Sequence, residues 1–77
     1  MAFAEHDRVV VTRDLPDVGL QAGDLGVIVY IHAAGQAYEL EVFSATGETL
    51  AVETVPGDAV RPRVYEDTLH VRTWAAE

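Results

Sequence analysis

Short runs of apolar residues, separated by residues that favour turns, make up most of the chain. Each run is rich in β-branched or alternating apolar residues, which is the pattern typical of strands. The runs lie at residues 8–12, 24–32, 37–43, 49–55 and 61–65. Pro62 places the last run at a sheet edge or at a bulge, because proline cannot donate to a ladder. The pattern predicts five short strands and no long helix.

The second run, DLGVIVYIH, is almost continuously apolar. Strand periodicity predicts one shared face, since side chains alternate between the two faces of a sheet. That face would hold Leu25, Val27, Val29 and Ile31. Gly26 lies inside the run, and we interpret it as the site of a bulge or sharp coil where a small barrel bends.

The third run, AYELEVF, alternates cleanly between apolar and acidic residues. The apolar positions are expected to enter the core, while Glu39 and Glu41 point to water. Glu53 on the following strand is expected to extend them into an acidic stripe. The stripe is either a solvated face or a docking surface for a basic partner protein. The predicted partner-binding residues are Glu39, Glu41, Glu53 and Trp74.

The number and spacing of the runs predict an all-β fold. Five short antiparallel strands, with a long loop after the first and a tight bend before the last, match a small SH3-like barrel. Residues 1–65 form this barrel in our prediction, and residues 66–77 form a C-terminal extension. The long loop, residues 13–26, holds apolar side chains that are expected to pack the loop on itself. They are Leu15, Val18 and Leu20.

The C-terminal extension has two open interpretations. It alternates over residues 68–74, so it can add a sixth strand, or it can be a flexible end that orders on a partner. Trp74 is the one tryptophan of the chain. It is expected to pack on its own barrel or, alternatively, to contact a second copy, so that a homo-oligomer forms through residues 66–77.

Charge is the compositional feature that bears most on partners. Thirteen acidic residues face five arginines and no lysine, so the formal net charge is −8. Such a chain repels phosphate backbones and anionic membranes, and it attracts basic partners at low salt. We therefore expect a protein partner, and neither nucleic acid nor a membrane; the same charge also supports solubility.

Length and cysteine usage limit the remaining classes. Seventy-seven residues suffice for one domain. The absence of cysteine excludes disulfides, a thiol nucleophile and thiolate zinc sites. The first ten residues lack the features of a signal peptide, and no apolar run approaches the roughly 20 residues that span a bilayer. The expected compartment is the cytoplasm.

The residues that could carry catalysis or hold a metal follow no motif. Ser44 ends a strand outside any nucleophile signature. The histidines show no ligand spacing, and the aspartates of residues 13–26 fit no calcium loop and are expected to cap turns. These residues are His6, His32, His70, Asp14, Asp17 and Asp24. We expect no enzyme activity, no metal and no cofactor.

Residues 7–62 resemble a family of short bacterial stand-alone proteins that is described only as a domain of unknown function. The resemblance rests on a D-x-V strand, a DLP-x-x-GL-x-x-GD-x-G-x-V segment, a YEVEF-like strand and a GET turn. The matching residues are Asp7, Val9, Asp14, Leu15, Pro16, Gly19, Leu20, Gly23, Asp24, Gly26, Val27, Tyr38, Glu39 and Glu41. The resemblance implies an SH3-like barrel and no established activity.

The phrase GDLGV at residues 23–27 is also similar to two other groups with SH3-like barrels. One is the nitrile hydratase beta subunit, and the other is the KOW motif of ribosomal and transcription proteins. The KOW similarity implies nucleic-acid binding, which needs more basic residues than this barrel carries.

Two functions therefore stand as hypotheses. The first is a non-catalytic module that binds a basic protein, with an antitoxin-like or immunity-like role as one form. The alternative is an accessory or chaperone-like protein for a metalloenzyme related to nitrile hydratase. Loss of partner binding with rising salt would favour the first, whereas improved metal loading of a hydratase-like subunit would favour the second.

Overall fold

One antiparallel sheet of five strands organises the chain, as seen in a computed structural model that describes residues 3–72. The strands are β1 (Arg8–Val11), β2 (Leu25–His32), β3 (Ala37–Phe43), β4 (Thr49–Pro56) and β5 (Val60–Pro62). Their order in the sheet is β4-β3-β2-β1-β5. Short 3₁₀ turns occupy Pro16–Val18, Ala33–Gly35 and Gly57–Ala59, and one helical turn, α1, spans Tyr65–Thr68. The predicted all-β class is confirmed.

The sheet curls around a single core. Val55 of the edge strand β4 and Val60 of the opposite edge strand β5 belong to the same buried cluster. The turn Gly57–Ala59 joins these two edges directly. A sheet whose two edges share one core and one short connection is compatible with the predicted SH3-like barrel.

The core is aliphatic apart from one buried aromatic residue, Tyr38. Its members are Val9, Val11, Leu20, Ile28, Tyr38, Leu40, Val42, Val55 and Val60. The ring of Phe3 packs edge-on against Tyr38, with 5.8 Å between the ring centroids. Full burial of one large apolar side chain contributes about 1.5–3 kcal/mol to the free energy of folding, so the cluster supplies most of the favourable free energy.

A bulge in β2 decides which of its side chains face the core. The pairing with β3 runs regularly to Ile28 and resumes at Tyr30, which leaves Val29 as the extra residue. Ile28 is fully buried, while Val29 is 38% exposed. The predicted face of Leu25, Val27, Val29 and Ile31 is therefore wrong, because one inserted residue reverses the alternation beyond it.

Gly26 does not form the bulge that the sequence predicted there. It pairs regularly with Val9 on one side and with Val42 on the other. The side chain of Leu40 fills the space where a β-carbon would lie, because an ideal Cβ on Gly26 would be 2.5 Å from Leu40 Cγ. The glycine is required for close packing, and not for curvature.

The long loop before β2 packs on itself as predicted. Leu15 and Leu20 form an isolated antiparallel bridge, with the Leu15 amide donating to the Leu20 carbonyl at 2.9 Å. Leu20 is 2% exposed and joins the core, while Leu15 and Val18 pack against it from the outside. The 3₁₀ turn that begins at Pro16 carries the chain between them.

The chain after β5 folds back on the barrel. The predicted fifth strand at residues 61–65 ends earlier, at Pro62, since Tyr65 already begins α1. Two hydrogen bonds from the Arg61 guanidinium, at 2.6 and 2.9 Å, hold Asp67 in this helical turn. The part of the suggested sixth strand that the structure describes, residues 68–72, is not a strand.

An ion pair fixes the end of the described chain. Arg72 contacts Asp24, whose side chain is 1% exposed, with 2.9 Å between Nε and Oδ1. A second guanidinium nitrogen donates to the Gly19 carbonyl at 3.1 Å. A buried carboxylate needs such a partner, because an unpaired charge inside a protein is costly. The C-terminal segment up to Arg72 is thereby tied to its own barrel.

No helix among residues 3–72 is long and apolar enough to cross a membrane.

We predict that Gly26→Ala lowers the free energy of unfolding by about 2 kcal/mol, because the new methyl group overpacks Leu40. Urea denaturation measures the change. In an open strand the same substitution would stabilise, since alanine restricts the unfolded chain. An unchanged or higher denaturation midpoint for Gly26→Ala would therefore contradict the prediction and show that Leu40 moves aside. Gly26→Val should lower the free energy of unfolding more than Gly26→Ala does.

Candidate functional site

The outward surface of β2, β3 and β4 carries the two predicted glutamates. Burial alternates strictly along β3, so Glu39 and Glu41 lie on the surface opposite the core. Glu39 is flanked across the strands by Tyr30 and Thr54, and Glu41 has Val52 as its neighbour on β4. We call the surface formed by Tyr30, Glu39, Glu41, Val52 and Thr54 the carboxylate face.

The carboxylate of Glu39 is held by two donors. The Thr54 hydroxyl and the His32 Nε2 each lie 2.7 Å from Glu39 Oε2. The hydrogen bond from Thr54 is the main cause that holds the pKa of Glu39 below its ordinary value, and the hydrogen bond with His32 is the second. His32 is in turn oriented by Tyr30, whose ring packs edge-on against it at 4.8 Å between centroids. Glu39 is therefore charged and fixed in position near neutral pH.

Glu41 is held in the same manner but by one donor. The Thr49 hydroxyl donates to Glu41 Oε2 at 2.7 Å. In both glutamates Oε2 takes the internal hydrogen bonds, and Oε1 has no partner within residues 3–72. Each carboxylate thus presents one oxygen to a donor from outside, such as a guanidinium or ammonium group.

Exposed apolar side chains border these carboxylates. Tyr30 is 54% exposed and Val52 is 55% exposed. Exposed tyrosines beside fixed polar groups are typical of surfaces that bind proteins, because the ring buries a large area at small entropic cost. The carboxylate face therefore combines charge with apolar area that a partner can cover.

Glu53 does not belong to the carboxylate face. Its Cα pairs with Leu40, whose side chain is in the core, so Glu53 lies on the opposite surface of β4. There it is half-buried between Ala51 and Val55. The expected stripe of three glutamates is therefore wrong, because the β3–β4 register places Thr54 beside Glu39 instead.

Trp74, the fourth predicted partner-binding residue, lies outside the described residues. The segment leading to it contacts its own chain at Arg72. The predicted second-copy contact through residues 66–77 stays a prediction.

The side chains of Asp14 and Asp24 accept hydrogen bonds from backbone amides of their own loop. Asp24 accepts from the Gln21 amide at 2.8 Å and pairs with Arg72, and Asp14 accepts from the Ala22 amide at 3.0 Å. In the part of the chain that the structure describes, no group of three histidine or carboxylate side chains is arranged to hold a metal ion. Ser44 closes the β3–β4 turn, where its hydroxyl accepts from the Glu48 amide at 3.1 Å.

Two members of the site were missed from the sequence. Tyr30 and His32 face outward only because the bulge at Val29 changes the alternation of β2. Alternation separated Tyr30 and His32 from Ile31, but the nearly continuous apolar run showed neither the inserted residue nor which face enters the core, so these two residues were not recognised. The signal for Glu39 was clear, since apolar and acidic residues alternate along β3.

Comparison with known proteins identifies a family without an assigned activity. The sequence profile of a domain of unknown function, DUF4926, matches residues 5–62. No curated protein and no solved structure matches the chain. The similarity to the nitrile hydratase beta subunit, and the accessory role that it implies, stay predictions.

We predict that Thr54→Val raises the pKa of Glu39 towards its ordinary value, because the hydrogen bond that lowers this pKa most is lost. A titration of the Glu39 side-chain carbon by NMR measures the shift. His32→Gln should move the pKa less, and Thr46→Val serves as a control on a threonine outside the face. Identical titration curves for wild type and Thr54→Val would contradict the assigned hydrogen bond.

Proposed function

The chain belongs to the DUF4926 family, and on that premise we propose that it is a non-catalytic module that binds a basic protein through the carboxylate face. The observation that carries this proposal is the pair of fixed carboxylates, Glu39 and Glu41, on a solvent-facing strand beside exposed Tyr30 and Val52. Protein-binding surfaces combine oriented charged groups with apolar area that the partner buries, and both occur on the carboxylate face.

Charge complementarity favours arginine or lysine on the partner. The two free Oε1 atoms belong to residues two positions apart on one strand, and such side chains lie on the same face. A guanidinium can bridge or bind such oxygens with directed hydrogen bonds, which are stronger than those between neutral groups. The net charge of −8 adds long-range attraction, which speeds encounter with a basic surface at low salt.

The fixed geometry of the glutamates favours binding over a purely solvated role. A flexible surface glutamate loses side-chain entropy when it pairs, and this loss cancels much of the gain. Thr54, His32 and Thr49 already restrain Glu39 and Glu41 before any partner arrives. Preorganisation of this kind raises affinity because less freedom is lost on binding.

The same surface supports no catalytic assignment. A general acid or base works in a concave, partly dry site that tunes its pKa towards the working pH. Glu39 lies on an open strand face, and its hydrogen bonds hold its pKa low. An antitoxin-like or immunity-like role is one form that the proposed module can take, and the cytoplasm is the compartment that we propose for it.

The proposal predicts selective binding of a basic peptide. Titration of the isotope-labelled protein with an arginine-rich peptide amide should shift the NMR signals of Tyr30, Glu39, Glu41, Val52 and Thr54. Glu39→Gln with Glu41→Gln should weaken binding at least about tenfold, because two charge-assisted hydrogen bonds are lost. Glutamine keeps an oxygen that accepts from the threonines, so the fold should be retained.

The matched control is Glu5→Gln with Glu66→Gln. Both residues are exposed and neither is a member of the carboxylate face, and the control removes the same number of charges. It should bind the peptide nearly as well as wild type. Equal weakening by both double variants would mean that only net charge matters, and the proposal of a specific face would be wrong.

A further inference from the structure

A concave surface lies between α1 and the β3–β4 turn, next to the carboxylate face, since its lining residue Val27 pairs across the strands with Glu41. It is a cavity of about 270 Å³ on the outward side of β1 and β2. Leu25, Val27 and Phe43 form its apolar wall, and Arg8 and Arg63 contribute the charged groups. Its size suits a small molecule or one side chain, and its lining combines apolar area with cations.

The arginines in this cavity differ from the other three in the chain. Arg13, Arg61 and Arg72 each form an ion pair with an aspartate. Arg8 and Arg63 form no ion pair with any residue from 3 to 72, although the protein carries thirteen acidic residues. These two arginines, neither of which makes an ion-pair contact within residues 3–72, thus line the same cavity.

Strand pairing brings these two like charges together. The Arg63 amide donates to the Arg8 carbonyl at 3.2 Å, and the preceding pair in the same register is Val9 with Pro62. Like charges directly opposite each other destabilise a sheet. An anion placed between the guanidinium groups would remove this repulsion, so the arrangement favours binding of a negative group.

The nearest carboxylates do not fill this role. Both carboxylate oxygens of Asp67 accept from the Arg61 guanidinium, and Asp67 interacts with Arg63 through charge alone, without a hydrogen bond. Glu41, the cross-strand neighbour of Val27, accepts from Thr49. Neither residue lines the cavity, whereas Thr68 does, and its hydroxyl accepts from Arg63 Nη2 at 3.1 Å.

We propose that this cavity binds a small organic carboxylate, with its anionic head on Arg8 and Arg63 and a short apolar body against Leu25, Val27 and Phe43. Guanidinium groups bind a carboxylate through directed hydrogen bonds, and both arginines line the cavity. The apolar wall favours an organic acid over an inorganic anion, because only an apolar body removes that wall from water.

Benzoate is the probe for the test, with benzamide as a neutral compound of the same shape. Benzoate should shift the NMR signals of Val27, Phe43 and Arg63 in a saturable manner, and benzamide and inorganic phosphate should bind more weakly. Arg8→Gln should raise the dissociation constant for benzoate at least about tenfold. Arg13→Gln, which changes an arginine outside the cavity, should leave it unchanged.

Arg8 is the informative position because its side chain makes no hydrogen bond within the described chain, so its loss should spare the fold. Arg63→Gln is a second variant, and its melting temperature separates lost binding from displacement of α1, since Arg63 bonds Thr68. Three results would overturn the proposal. They are benzamide or phosphate binding as tightly as benzoate, equal affinity in Arg8→Gln and wild type, and no saturable shift up to the solubility limit of benzoate.

Discussion

The bulge at Val29 is the constraint on which both the packing of the core and the carboxylate face depend. One extra residue in β2 lets Ile28 and Ile31 face the same core, although they are three positions apart. The same insertion turns Tyr30 outward, beside Glu39. Without this inserted residue, alternation would point the ring of Tyr30 into the core, and Glu39 would have no aromatic neighbour on β2. Packing of the core and composition of the carboxylate face are thus set by a single local feature.

Charge is divided between two regions of opposite character. The carboxylate face presents glutamate oxygens that are restrained by hydroxyl and imidazole donors. The cavity near α1 holds the two arginines that lack an ion pair among residues 3–72. A solubilising charge distribution would need neither restraint nor a cavity. The arrangement favours two binding surfaces, one for cationic groups and one for an organic anion.

The sequence pattern located the strands well, but it assigned the side chains to the correct face of the sheet in β3 and not throughout β2. Residues 37–43 were located as β3 with the correct faces, because acidic and apolar residues alternate there. The faces of β2 were wrong beyond Ile28, since a continuous apolar run does not reveal an inserted residue. Glu53 was misplaced because the register between neighbouring strands is set by pairing and turns, and composition does not report it. The cavity is lined by residues that are distant in the sequence, so the proximity of Arg8 and Arg63 could not be predicted before the strand pairing was known.

The central claim is that the carboxylate face binds a basic protein. The most direct test is purification of the tagged protein from its own source cells at low salt, in parallel with Glu39→Lys/Glu41→Lys and the control Glu5→Lys/Glu66→Lys. The account predicts that wild type and the control retain one stoichiometric basic protein, that moderate salt releases it, and that Glu39→Lys/Glu41→Lys does not retain it. Retention of the same proteins by all three forms would contradict the claim.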